Sequence, residues 1–385
     1  MTVHEILADL QANWLLYCAM PVVAALIGYL TKILAIKMMF SPLEFIGIKP
    51  FLGWQGIVPR KAETMAGIAC ETLTSNLIDP AEIWNKLDHQ RLLAELEAPM
   101  LVAVESITSE VASHYQAGLW QALPKSTKQR LIQRIQKEAP AAVKLVMDDI
   151  GSNLTEVFDL KAMIVNSMTR DKRVIIRILK ETGSKEFSFI RRSGIYFGFG
   201  IGIVQAVTWA LTHSPWVMPL FGGFVGYFSD WIALKMVFRP MEPKKFFGFF
   251  TWQGLFLKRR LEVCEVHARL IAEEVMTARN LFEAAISGPA ADRLYALVNK
   301  HVQDMVDEQA GYARPLMVYS MGSQRYQAMK SDITAKLMER LPDTLRHAEA
   351  FVDQELDMRN TLASKMKLMT PTQFEGLLRP VFQQY

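Results

Sequence analysis

One fifteen-residue run occurs twice at a fixed spacing, and no other feature constrains the fold of this chain more. Gly28-Tyr29-Leu30-Thr31-Lys32-Ile33-Leu34-Ala35-Ile36-Lys37-Met38-Met39-Phe40-Ser41-Pro42 returns 198 residues later as Gly226-Tyr227-Phe228-Ser229-Asp230-Trp231-Ile232-Ala233-Leu234-Lys235-Met236-Val237-Phe238-Arg239-Pro240. Gly28, Tyr29, Lys37, Phe40 and Pro42 thus have identical counterparts at Gly226, Tyr227, Lys235, Phe238 and Pro240. The same offset pairs Pro21 with Pro219, Trp54-Gln55-Gly56 with Trp252-Gln253-Gly254, Asp159 with Asp357 and Met168 with Met366. One register held over so many uncommon residue types implies an internal duplication.

The apolar runs set the second constraint. Leu10 to Thr31 is 22 residues without a charge. At ~1.5 Å per residue that is about 33 Å of helix, enough for a hydrocarbon core of roughly 30 Å. Ser193 to Ser229 is uncharged for 37 residues if His213 is neutral, too long for one crossing. Thr212-His213-Ser214-Pro215 supplies a turn, so Gly194 to Leu211 crosses outward and Trp216 to about Phe238 returns, its 14 uncharged residues before Asp230 being compatible with a re-entrant segment as well as a full crossing. Lys32, Lys37, Lys49, Arg60 and Lys61 follow the first run, Lys185, Arg191 and Arg192 precede the second, and Lys235, Arg239, Lys244 and Lys245 follow the third. By the positive-inside rule the amino terminus lies outside and the polar segments lie in the cytoplasm. Met1 to Asp9 lacks the basic start and cleavage site of a signal peptide and reads as part of the mature chain.

The segments between and after the runs read as helical. Met65, Ile68, Ala69, Leu73 and Leu77 recur at helical spacing, and Asp79-Pro80-Ala81-Glu82 is a helix start. Breaks are expected near Pro99, Pro124, Pro140, Gly151, Gly288-Pro289, Pro315 and Pro342, leaving helices of roughly 15 to 20 residues. No stretch alternates with period two, so no sheet is expected. The Gly- and aromatic-rich segment Leu43 to Val58 reads as an interfacial loop. The expected fold is therefore an all-α integral membrane protein with an internal duplication at offset 198, three transmembrane helices and two cytoplasmic helical domains. Its segments are residues 1–60, 61–192, 193–257 and 258–385.

Composition removes several function classes. A net charge of +4, dispersed along the chain, gives no reason to expect nucleic acid as a partner. The three cysteines, Cys18, Cys70 and Cys264, are widely spaced and make no disulfide framework. Cys264 and His267 have ligand-like spacing but no second pair, and read as residues of a partly buried helix. No phosphate loop, His-Glu-x-x-His, nucleophile elbow or paired-Cys zinc pattern is present. Neither an enzyme nor a cofactor is expected.

The doubled run, with Glu186 to Gly200 leading into Gln205, Gly56 to Lys61, and Phe374-Glu375-Gly376-Leu377-Leu378-Arg379-Pro380-Val381-Phe382, resembles the bacterial membrane proteins grouped as domain of unknown function 445. The resemblance covers essentially the whole chain and implies a multi-pass protein of the bacterial inner membrane with no assigned activity. The family usually carries Asn where this chain has Lys32 and Asp230. Its members also tend to continue from the late motif into a further crossing, whereas this chain stops at Tyr385; the resemblance implies a second copy without its last part.

Two functions remain. One is a membrane-anchored module whose amphipathic cytoplasmic helices bind membrane lipids or a protein partner. The other is an oligomeric transporter or channel component, with paired polar groups inside the membrane. Lys32 and Asp230 are the candidate site, because equivalent positions of a parallel repeat lie at similar depth. Gly28 and Gly226 would let the first and third crossings pack closely, placing the two charges in an ion pair beside Thr31 and Ser229. Alternatively Lys32 snorkels to headgroups, and Asp230 is stabilised by water or a backbone donor in an oligomer.

Overall fold

The computed structural model describes residues 9–48, 52–246, 250–311 and 314–374. Met1 to Ala8, Lys49, Phe51 and the Glu375–Phe382 part of the late motif lie outside these residues. The described chain is dominated by helices and divides into two compact units, each assembled from non-consecutive segments.

The first unit comprises residues 1–69, 168–270 and 363–385. It holds three helices long and apolar enough to cross a membrane: Trp14–Phe40, Ser184–Thr212 and Val217–Phe238, here the first, second and third spans. The first span runs past Thr31 through Lys32 and Lys37, because charged residues near a helix end do not interrupt the backbone ladder. It ends where Ser41 is extended and Pro42 cannot supply an N–H. The second span closes at His213, in the left-handed conformation, and the third begins four residues later, as the Thr212–Pro215 turn predicts.

Small residues decide which spans touch. A methyl added at Gly28 would come 2.6 Å from the carbonyl oxygen of Gly194, one at Gly198 2.6 Å from that of Ala24, and one at Gly202 2.6 Å from Cα of Pro21. Residue numbers rise along one helix as they fall along the other, so the first and second spans are antiparallel with backbones in contact. The turn makes the third span antiparallel to the second, hence parallel to the first. Gly226, by contrast, has no atom within 4 Å of an added methyl. The expectation that Gly28 and Gly226 bring the first and third spans together is therefore corrected. Gly28 meets Gly194, whose backbone leaves no Cβ in the way, and the third span packs chiefly on the second.

Each span that ends in Pro42 or Pro240 continues into a short antiparallel hairpin, against the expectation of no sheet. Ile46–Ile48 pairs with Leu52–Trp54 and Lys244–Phe246 with Phe250–Trp252, in the same register 198 residues apart. These strands are three residues long, too short to show period-two alternation. Gln55 Nε2 donates to Leu43 O at 2.8 Å and Gln253 Nε2 to Met241 O at 3.1 Å. The N–H groups of Gly56 and Gly254 donate to Pro42 O and Pro240 O. The helices that follow start at Ile57 and Leu255, then at Ala62 and Arg260, at the same offset.

The second unit comprises residues 70–167 and 271–362. The compact units therefore do not follow the four consecutive segments read from the sequence. Helix His89–Tyr115 packs on Lys125–Ser152 and on Ser323–Arg346, and Ala291–Ala310 packs on the same two. Four long helices, two from each half of the chain, thus close a ring around one core. Leu92, Leu96 and Met100 on the first, and Leu294, Val298 and Val302 on the third, recur every fourth residue and are buried. Two helices alone leave such faces uncovered, and pairing the halves covers both. Asp79 caps Pro80–Lys86 by accepting from Ala81 N–H at 2.9 Å, as its sequence predicts.

Pro99, Pro140 and Pro342 lie inside helices rather than between them. Each removes one backbone bond, and burial of the long amphipathic face outweighs that loss. Breaks do occur at Pro124 and at Gly288-Pro289, and Pro315 stands in the first turn of Arg314–Met321, where its missing N–H costs nothing.

The close contact of the first two spans is directly testable. Gly198→Val should cut the yield of folded, monodisperse protein in detergent several-fold, overpacking of this kind costing about 1–3 kcal/mol. Gly200→Val, two residues along the same helix with nothing within 4 Å, should leave the yield unchanged. Equal losses would show that backbone contact is not what the glycine provides.

Candidate functional site

Lys32 Nζ lies 2.8 Å from Asp230 Oδ1 and donates a further bond of 3.1 Å to the carbonyl oxygen of Ser229. Those are the two candidate residues read from the doubled run. Lys32 is 2% exposed, whereas the side chain of Asp230 is 54% exposed on the outer face of the third span. Room for the lysine stem comes from Gly194, where an added methyl would sit 3.0 Å from Lys32 Cδ. Thr31 stands beside the pair in sequence but turns its hydroxyl back to Ile27 O, and Ser229 likewise to Gly226 O. Gly222, Gly226 and Asp230 fall on one stripe of the third span, with no atom within 4 Å of a methyl added at either glycine.

Several other residues of the doubled run pack against neighbours in the same unit. Phe40 is buried edge-on against Phe187 at 5.4 Å, with Lys180 Nζ 5.0 Å from its ring centroid. Phe238 packs on Phe256, which stacks on Phe374. Lys235 lies over Trp231. Tyr227 is exposed on its span, and Tyr29 is partly buried. Pro42 and Pro240 end their helices.

At the charged end of the second span, Glu186 is 1% exposed and accepts from Arg259 Nη1 at 2.6 Å. Its Oε2 is buried without a hydrogen-bond partner. Arg259 and Lys185 also bond Glu262, and they pull the pKa of its carboxyl down to about 2. His267, buried with Nδ1 3.5 Å from Thr182 Oγ1, is held neutral by burial, its pKa lowered to about 4. Among the described residues no three His, Cys, Asp or Glu side chains come together as a metal site, and Cys264 and His267 remain helix-core residues. At the opposite end of the spans, Asp9 accepts from Tyr17 OH at 2.5 Å and lies 3.0 Å from His213 Nε2.

The second unit contains a different kind of site, which the sequence reading did not locate. The four-helix ring and the short helices beside it line a partly open cavity of about 350 Å³. Leu96, Met100, Ile135, Val146, Val298 and Leu337 are among its walls, and no Asp, Glu, Lys or Arg lines it among the described residues. Thr108, His301 and Thr344 supply its few polar atoms, and His301 Nε2 lies 2.8 Å from Asp149. Small residues make the space: Ala103, Ala139 and Ala142 occupy core-facing positions where a larger side chain would close it. That substitution of small for large residues on an apolar helix face was the available sequence signal.

The ion pair yields a double-mutant test. Asp230→Asn leaves Lys32 charged and buried, and should lower stability in detergent by roughly 3 kcal/mol. Lys32→Met keeps the stem volume and leaves a carboxylate that is already half exposed, so its cost should be smaller. The double variant should be more stable than Asp230→Asn alone; losses that simply add would show the two groups to be uncoupled.

No protein-family model matches the chain, and no solved structure does. Curated relatives exist among cyanobacteria. The chain is 34% identical over 110 residues to a UPF0754 membrane protein of Nostoc punctiforme, 26% of each chain. It is 29% identical over 146 residues to a UPF0754 membrane protein of Gloeothece citriformis, 37% of this chain and 30% of the relative. A UPF0754 membrane protein of Microcystis aeruginosa is 35% identical over 65 residues, 16% of each. The matched stretches thus cover less than a third of these relatives. Their names and the three apolar helices agree with the resemblance drawn from the doubled run: the chain is a relative of bacterial membrane proteins whose names state no activity.

Proposed function

We propose that this is a multi-pass protein of the bacterial inner membrane that binds a membrane lipid in the cavity of its second unit. The cavity itself is the observation that carries the reading. Its volume falls in the range of small-molecule sites, roughly 300–1,000 Å³. Its walls are almost wholly hydrocarbon, so a charged or sugar-like ligand would lose its hydration there without compensation. A chain with three spans works among acyl chains, the most abundant apolar ligands available to it.

The same reading takes the two halves of the chain as copies of one ancestral unit. Matching hairpin registers, glutamine-to-carbonyl bonds and helix starts at the 198-residue offset support it. An experimental structure in which Gly28–Phe40 failed to superpose on Gly226–Phe238 would count against it. Orientation follows from charge. Asp9 and His213 mark one end of the spans, and Lys185, Arg259 and Glu262 gather at the start of the second span. The basic end is assigned to the cytoplasm and the Asp9 end to the outside. Ser214→Cys should react with an impermeant thiol reagent in intact cells, while Ser126→Cys, at an exposed position of the second unit, should react only after the cells are opened; the reverse pattern would overturn the orientation.

Lipid binding is tested by filling the cavity. Val298→Trp and Ala139→Phe should each reduce saturable binding of a fluorescent polyene fatty acid at least tenfold. Because they fill space rather than open it, the lipid-free melting temperature should hold or rise. Variants that fold normally and bind the probe as tightly as the parent would refute the assignment.

A further inference from the structure

A second pocket, of about 290 Å³, adjoins the apolar cavity in the same unit, and its chemistry is different. Its lining includes Trp84, Asn85, His89, Asp148, Gly151 and Ser152. Trp84 and Met147 line both this pocket and the apolar cavity, so the two spaces share a wall. Gly151 permits this arrangement: a methyl there would fall 2.5 Å from the indole nitrogen of Trp84. His89 also packs on the indole, its ring centroid 4.8 Å from that of Trp84. His89 Nε2 is buried and has no hydrogen-bond partner, an unusual state for a polar atom.

Charge narrows the occupant. Among the described residues Asp148 is the one carboxylate of the pocket's lining, and no Lys or Arg is there to receive a net anion. Asn85 and the indole N–H offer donors, and His89 Nε2 donates or accepts according to its tautomer. A headgroup that suits this set carries a positive end for Asp148 and acceptor oxygens for the neutral donors. One molecule that satisfies a hydrocarbon cavity and such a pocket together is an amphiphile.

We propose that cavity and pocket form one site for a zwitterionic membrane lipid. Its acyl chain lies among the aliphatic side chains and its headgroup, ending in a primary ammonium, lies beside Asp148. This rests on the reading of the cavity as a lipid site and adds the class of lipid. Asp148 selects the ammonium by charge. Asn85 donates to the phosphate oxygens. Trp84 spans the junction, its ring against hydrocarbon and its N–H toward the polar end, as indoles do at membrane interfaces.

The test is native mass spectrometry of the full chain, released from non-ionic detergent and offered equal amounts of lysophosphatidylethanolamine and lysophosphatidylglycerol with the same acyl chain. The parent should retain the ethanolamine lipid about tenfold over the glycerol lipid. Asp148→Asn, a change at an exposed position, should bring the two to near parity while total lipid bound stays constant. Val298→Trp should lose both. Equal retention by the parent, or an unchanged preference in Asp148→Asn, would overturn the headgroup assignment and leave the acyl-chain site standing. Full retention of both lipids by Val298→Trp, or no retention of either by the parent, would overturn the acyl-chain site and the headgroup assignment with it.

Discussion

Backbone-to-backbone contact between the first and second spans is the constraint on which the membrane unit depends. Inside a bilayer no hydrophobic gain draws helices together, so close packing and internal polar bonds must do so. Gly28, Gly194, Gly198 and Gly202 bring main chains to a separation that any Cβ would prevent. That proximity opens the niche for the Lys32 stem, and the niche in turn directs the ammonium to Asp230 and Ser229 O. A buried lysine is thus a consequence of helix contact as much as of its own partner.

The second unit poses a different problem: its amphipathic helix faces close on one another, but the core they form must then be filled. Alanines on two of the four helices, Ala103, Ala139 and Ala142, line a space that the aliphatic walls leave open. The unit tolerates buried polar groups where they are matched: Lys330, 2% exposed, donates to both oxygens of Asp307, which also accepts from Tyr326. These bonds hold Asp307 ionised below its ordinary range against the opposing effect of burial.

How much of this is legible in the sequence follows the range of the interactions. The spans, the His213 turn, the Asp79 cap and the ends at Pro42 and Pro240 depend on residues within a few positions of one another, and reading the chain locally finds them. The hairpins escape such a reading because three residues per strand carry no period. Pro99, Pro140 and Pro342 look like breaks because local propensity counts the lost bond and not the buried face. Lys32 and Asp230 stand out through the repeat, yet the repeat suggests the wrong glycine partner: Gly28 contacts Gly194, a position the repeat does not relate to it. The cavity, and the pocket with His89 and Asp148, arise between helices distant in sequence. No single segment announces them.

Assembling one four-helix ring from both halves has a consequence for synthesis. The pair His89–Tyr115 and Lys125–Ser152 meets its partners only when the ribosome has passed Arg346. At roughly 5–20 residues per second that interval is on the order of tens of seconds, during which two hydrophobic segments must also enter the bilayer. The first pair spends it with an apolar face uncovered, a long-range closure of the kind that slows folding. The ring is therefore a late event in the life of the nascent chain, and the step at which holding by a chaperone or by the membrane surface has the most to offer.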